Sequence, residues 1–286
     1  MPIFQITLNG ILTGCIYCLI AVSFGLSYKT VKFYNLAHVS LILIGGYTML
    51  LFYKIWSLPF IPSLIISILL TAVIAYLIQK YIYTPLRNRG ATDMAMLIAS
   101  LGINAIISGL IAIIFSNQFQ SIANANLPTI IYTFFNLSIT KIQLFNFITT
   151  TFVLIFVFSI NKYSNLGRAI SAIGDNEETA KIFGIDTKKI IGRTAFLSGA
   201  IAGLSGIIIG FDTGLKPTFG TMIVYKGIAA NIIGGIGNLP LSALTSIILG
   251  ITENFGTYIL NSQWRDLIVF LLMIIFMYCR SLKNAR

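Results

Sequence analysis

The sequence predicts an all-α polytopic membrane protein, a bundle of about eight to ten transmembrane helices with one further helix held outside the bilayer. Three observations carry this. Hydrophobic residues make up 57% of the 286 and charged residues only 9%, with a mean hydropathy of +0.90, a balance that fits a bilayer-spanning chain and not a globular core. Apolar runs long enough to cross about 30 Å of hydrocarbon recur along the chain, parted by charge, proline and turn residues. One stretch, Asn161 to Arg193, breaks the pattern with a dense set of charges.

Taken in order, the spans fall near residues 8–28, 36–54, 60–80, 94–115, 143–161, 190–211, 224–238, 241–259 and 264–279. These are about nine, with the seventh and ninth short, and a broken or re-entrant element within 212–240 would make them eight or ten. Small residues mark close helix approach: Gly10 and Gly14 at GxxxG spacing, Gly199, Gly203 and Gly206 in SGAIAGLSG, and Gly45–Gly46, which interrupt the second span. The 116–142 segment is polar in front with a β-like aromatic patch behind; an extracytoplasmic partner would meet it or the Asp212–Phe219 turn, the alternative being a plain connecting loop packed over the bundle. MPIFQITLNG has neither a basic n-region nor a small-residue cleavage site, so no removable signal is expected.

A net charge of +11 raises the question of nucleic acid, but no tract has the form of a nucleic-acid patch, and basic residues collect in cytoplasmic loops by the positive-inside rule. Placing 161–193 in the cytoplasm puts 14 lysines and arginines on that side (29, 32, 80, 87, 89, 162, 168, 181, 188, 189, 193, 280, 283 and 286) and leaves 5 opposite (54, 141, 216, 226 and 265). The N-terminus is therefore expected outside and the C-terminus in the cytoplasm, and nine spans have the parity for it.

Within the charged stretch a short helix is signalled at both ends. Asp175 can cap it, Glu178 can close a capping box, and Gly184 can take the left-handed stop. A soluble helix between two spans has something to touch outside the membrane.

Enzyme motifs are missing. No GxxxxGK[ST], HExxH, GxSxG or paired-His cluster occurs, so no metal centre and no cofactor is expected on this chain. Cys15 and Cys18 make a C-x-x-C inside an apolar span without a second ligand pair, Cys279 stands alone at a span end, and His38 has no partner at helical spacing.

The stretch NGILTGCIYCLIAVSFGLSYKTVKFYNLAHVSLILIGGY resembles the opening of bacterial branched-chain amino acid ABC transporter permeases, where a first helix leads to an N-F-A-H-G turn. TPLRNRGATDMAMLIASLGINAI is similar to their PLR loop and L-I-A-T-I-G, GRAISAIGDNEETAKIFGI to their cytoplasmic GRA segment, and SGAIAGLSG and YKGIAANIIGGIGNLPLSALTSIILGITE to their closing motifs. The likeness keeps motif order over essentially the whole chain. It departs at Val39 and Ser40 after the histidine and at Leu241 and Thr245, positions that bear on substrate more than on family.

The resemblance implies a single permease domain over 1–286 in the bacterial inner membrane, importing branched-chain or related small amino acids. The implied partners are ABC ATPase subunits that hydrolyse ATP on separate chains, a second homologous permease, an extracytoplasmic solute-binding protein and the lipid bilayer. Permeases for urea, short-chain amides or sugars in the same superfamily, and a stand-alone ion-coupled carrier, remain alternatives. By the same likeness Gly167, Arg168, Ala169, Asp175, Glu178, Ala180 and Gly184 form a cytoplasmic coupling helix and its approach, docking into the ATPase.

Substrate-path candidates lie where helices are interrupted: Asn35 and His38 in the turn after the first span, and Gly234, Gly235, Gly237 and Asn238 in GGIGN. The alternative for both is gating or packing. A last pair comes from depth. With the turn at Gly237–Pro240, Lys226 lies 13 residues before Leu239 and Glu253 14 after it, so both sit roughly 20 Å from the turn. Charges at that depth must pair or face water, and Asp212 is the rival partner for Lys226.

Overall fold

A computed structural model describes residues 2–122, 131–134, 137–217, 220–235, 237–260 and 262–284, and each of the nine apolar runs is a helix. In order these are α1 (Pro2–Val31); α2 (His38–Met49), continued by a π-helical turn, Leu50–Ile55; and α3 (Phe60–Ile78), which passes through a second π-helical turn, Gln79–Tyr83, into α4 (Thr84–Asn88). Then follow α5 (Asp93–Phe115), a hairpin of β1 (Ile131–Phe134) and β2 (Leu137–Thr140), α6 (Lys141–Tyr163), the charged segment as α7 (Asn165–Asp175) and α8 (Glu177–Ile182), α9 (Thr187–Asp212), α10 (Gly220–Gly234), α11 (Leu239–Leu260) and α12 (Arg265–Asn284). Seven of the described helices are long and apolar enough to cross a membrane, and α10 is a shorter apolar helix.

Capping sets several starts. The Thr92 hydroxyl accepts from Ala95 N, and Thr140 with Gln143 closes a reciprocal capping box on α6. The third span runs on past residue 80 to Asn88, so the PLR motif, expected as a loop, is helical; Pro85 is tolerated there because it falls in the first turn of α4. At 15 residues α10 is about 22 Å long, short of the hydrocarbon thickness. Leu215, in the turn before it, makes up depth by burying beside Ile122 and Gly46, and its backbone pairs with Gln120.

α1 is the centre: 89% of its apolar window lies inside the protein, against 17% for α5 and 22% for α6, which form the periphery. Small residues permit the contacts around it. A Cβ on Gly14 would sit 2.7 Å from the Ile247 Cα of α11, and one on Gly206 would run into the Ile42 carbonyl oxygen of α2. Gly45–Gly46 do not interrupt the second span. They stay α-helical within α2 and let α9 approach, a Cβ on Gly45 overlapping the Gly203 backbone.

The 116–142 segment carries the β1–β2 hairpin, with Ile131 opposite Thr140, and Gln5 of α1 exchanges two hydrogen bonds with the Ser138 backbone at 3.0 and 2.9 Å. Residues 123–130 and 135–136 of it, Phe219, Ile236 of GGIGN and Arg286 lie outside the described residues.

Candidate functional site: a charged helix pair and a buried charge cluster

The charged stretch is two helices. α6 ends at Tyr163, and Ser164 caps α7 by accepting from Gly167 N at 3.0 Å. The corner is tight: a Cβ on Gly167 would overlap the Ile160 carbonyl oxygen, so only glycine fits. Exposed Arg168 donates to Asn165 Oδ1, half-buried Ala169 follows, and Ile170 and Ile173 turn inward at 1% and 0% exposure.

The helix start differs from the sequence expectation. Asp175 is the last residue of α7, where its carbonyl accepts from Lys32 Nζ at 3.3 Å; Asn176 caps α8, its Oδ1 accepting from Thr179 N at 3.0 Å. No Asp175–Glu178 capping box forms, because α7 keeps Asp175 in helical geometry, and exposed Glu178 sits in the first turn of α8, where a carboxylate favours the helix dipole. Gly184 stops the helix as expected, with φ +79°. Its N–H reaches Lys181 O and Ile185 N–H reaches Ala180 O, the pattern of a Schellman close.

Ala180, 3% exposed, is the underside of α8, in a cluster with Ile173, Val31, Phe33, Tyr83 and Ile191. Glu177 binds Arg87 of α4 at 2.5 Å and Lys181 at 2.9 Å. Burial pushes the Glu177 carboxyl up, but the Lys181 hydrogen bond, the Arg87 and Lys181 charges and a Thr187 hydrogen bond together hold it below its ordinary value. Beyond these anchors the helix presents Ile182 and Phe183, 83% and 81% exposed. Sequence reasoning passed over Ile182, Phe183 and Glu177. The available signal was apolar residues beside the Gly184 stop in a segment otherwise built for water.

The α1–α2 turn is closed. Asn35 Oδ1 accepts from Tyr83 Oη at 2.7 Å and Ala37 N at 3.1 Å, and His38 is fully buried. The Ser23 hydroxyl lies 2.9 Å from Ile20 O and 2.8 Å from His38 Nε2, so it ties the buried imidazole to α1. GGIGN is the α10–α11 hairpin: Gly235 and Gly237 take φ +93° and +85°, a Cβ on Gly234 would sit 2.6 Å from Ser242 N, and Asn238 Oδ1 accepts from Leu241 N at 3.3 Å. Asn35 and His38 are buried, whereas Asn238 at the α10–α11 turn is exposed.

The depth arithmetic places Lys226 and Glu253 together, and the structure pairs them at 2.8 Å with side chains 5% and 0% exposed. They are half of a larger cluster. Asp266 meets Lys226 at 2.7 Å, Arg265 binds Glu253, and the Tyr17 hydroxyl of α1 donates to Glu253 Oε2 at 2.6 Å. Asp266 thus takes the place expected for Asp212. Four charges of net zero join α10, α11 and α12, half-exposed at Arg265 and Asp266 and sealed at Glu253. Cys15 and Cys18 are buried free thiols, and among the described residues no three His, Cys, Asp or Glu could hold a metal ion.

Known proteins resemble this chain along its length. The permease protein BraD of the high-affinity branched-chain amino acid transport system of Pseudomonas aeruginosa is 27% identical, over 96% of this chain and 93% of its own. LivH, its counterpart by name in Escherichia coli K12, is 25% identical over 93% and 90%. The fructose import permease FrcC of Rhizobium meliloti, 31% identical, matches only 38% of this chain and 32% of its own. The solved structure of PsaBC from Streptococcus pneumoniae in complex with Fab shares the fold, with a TM-score of 0.53 at 15% identity, over 94% of this chain and 89% of that one. The family model described as branched-chain amino acid transport system / permease component matches residues 6–277, and this multi-pass membrane chain, a transport component and not an enzyme, belongs to that family.

Proposed function

We propose that this chain is the membrane-spanning permease subunit of an ATP-driven, binding-protein-dependent importer of branched-chain or related small amino acids. The observation that carries the proposal is the Ile182–Phe183 pair, two large apolar side chains over 80% exposed on a helix rich in charge, where water would leave them bare. They form a knob for the groove of an ATPase subunit. The substrate class is supported by full-length likeness to BraD and LivH, against a sugar-permease likeness confined to 38% of the chain.

The lysine and arginine split of 14 to 5 supports an outer N-terminus and a cytoplasmic C-terminus, which puts the knob on the side where ATP is found. The exposed apolar faces of α5 and α6, among them Ile106, Ile113, Phe152 and Ile155, suit lipid and a second permease. An extracytoplasmic solute-binding protein would meet the side bearing the β1–β2 hairpin.

Phe183→Asp tests the docking. In the complex purified from membranes it should strip the ATPase subunit from the permease, with the permease itself at normal abundance. Full retention of the ATPase subunit with normal leucine uptake would refute the docking role. Uptake persisting in vesicles depleted of ATP would instead support the ion-coupled carrier.

A further inference from the structure

The helical Pro85–Leu86–Arg87 motif has no place in the docking knob, yet Arg87 is the point where α8 meets a membrane span. Its guanidinium holds Glu177 at 2.5 Å, with side chains 37% and 18% exposed. Four residues back, one turn along the same face, stands Tyr83 at 1% exposure. Tyr83 donates to Asn35 Oδ1 at 2.7 Å and packs edge-on against Phe33, with ring centroids 5.0 Å apart. Asn35 in turn accepts from Ala37 N and so fixes the chain where α2 begins.

One α-helical turn, the start of α4, joins Tyr83 to Arg87, and the backbone just before it is unusual. Gln79–Tyr83 is π-helical, and the Gln79 carbonyl accepts both the Thr84 N–H and, at 2.8 Å, the Thr84 hydroxyl. A π turn inserts one residue into the helical register and so sets which way the following turn, with Tyr83 and Arg87 on one face, is aimed. Such turns sit in helices where function needs a non-standard aim. Under α8, Ala180 and Ile173 share a packed cluster with Tyr83 and Phe33, so a displacement of α8 bears on the same tyrosine by steric contact.

We propose that Arg87 is a positioning residue for energy coupling: the Arg87–Glu177 pair, the α4 turn that joins Arg87 to Tyr83 and the Tyr83–Asn35 hydrogen bond form one lever that carries movement of α8 to the α1–α2 turn. The lever rests on the docking role given to α8, but it fails separately from it. Docking decides whether the ATPase subunit stays bound, whereas the lever decides how much substrate moves per ATP.

The test uses the complete complex in proteoliposomes, with L-leucine imported per ATP hydrolysed as the readout and retention of the ATPase subunit recorded alongside. Arg87→Gln and Tyr83→Phe should both retain the ATPase subunit and its turnover while leucine per ATP falls about fivefold or more, the lower end of typical inter-site coupling. The exchange Arg87→Glu with Glu177→Arg should recover most of that ratio. Tyr83→Phe is the sharper variant, because it removes one buried hydrogen bond and leaves the ion pair, the cluster packing and the docking surface intact. If Arg87→Gln fails to reach the membrane, Tyr83→Phe decides alone. An unchanged ratio in Tyr83→Phe overturns the lever. So does loss of the ATPase subunit from Arg87→Gln to the extent seen in Phe183→Asp, since the arginine would then serve docking only. Failure of Phe183→Asp to release the ATPase subunit overturns the docking role instead.

Discussion

Lys226→Met and Glu253→Gln each take one charge from a cluster that is neutral as a whole, and their cost can be worked from the contacts. Removing one partner of a buried ion pair costs about 3–5 kcal/mol when the survivor is left alone. Neither survivor is alone here. After Lys226→Met, Glu253 keeps Arg265 and the Tyr17 hydroxyl; after Glu253→Gln, Lys226 keeps Asp266. The released partners, Asp266 and Arg265, have side chains 54% and 45% exposed and can turn to water. Each single variant should therefore lose about 2 kcal/mol, below the isolated-pair range, read as an apparent Tm lower by roughly 4–8 °C in detergent. Lys226→Met with Glu253→Gln together restores neutrality, so the double loss should fall short of the sum of the singles by about 1 kcal/mol.

The charge exchange Lys226→Glu with Glu253→Lys separates a cluster from a lone pair. A lone pair would survive it. Here the exchange would set a carboxylate at position 226 against Asp266 and an ammonium at position 253 against Arg265, so abundance and uptake should stay low until Arg265 and Asp266 are inverted as well. Single variants with wild-type Tm and uptake would refute the energetic role, and rescue by the two-residue exchange alone would refute the cluster.

Two further outcomes concern α7 and α8. Gly184→Val should cost about 1 kcal/mol or more through its φ of +79° alone, since no atom lies within 4 Å of an added Cβ, and should uncouple ATP hydrolysis from uptake; Gly184→Asn, which tolerates that conformation, should stay coupled. Normal uptake in Gly184→Val would show that the stop does not position α8. A cysteine at Asn176, on a background without native cysteines, should react with impermeant reagent only from the cytoplasmic face, and one at exposed Gln118 only from outside. The reverse pattern would overturn the orientation and the partner side together.

What the sequence revealed follows from how strongly local physics constrains each feature. Spans were legible because hydrocarbon admits little but apolar helix, and the Lys226–Glu253 register because rise per residue is fixed, so equal counts from a turn mean equal depth. Span ends were less so: nothing in Gln79–Tyr83 announces a π turn, and a proline in PLR reads as a break unless the helix is known to restart there. The α8 cap moved by one residue because Asp175 and Asn176 are equally good caps, and only the length of α7 chooses between them.

The exposed Ile182–Phe183 pair stayed hidden for a different reason. In a chain that is 57% hydrophobic, an isoleucine and a phenylalanine carry no signal until their surroundings are known to be water. Arg265 and Asp266 likewise stand out in the sequence only as a span start and, for Arg265, as one more basic residue in the side-by-side count, because a charge at a helix end has many innocent reasons to be there. Their meaning comes from α12 starting beside the buried pair, so that its first turn supplies one counter-charge to Lys226 and one to Glu253. The same logic separates the two halves of the site. α8 is exposed at Ile182 and Phe183 and anchored through Glu177 and Ala180, whereas among the described residues the four charges of the cluster are paired with one another.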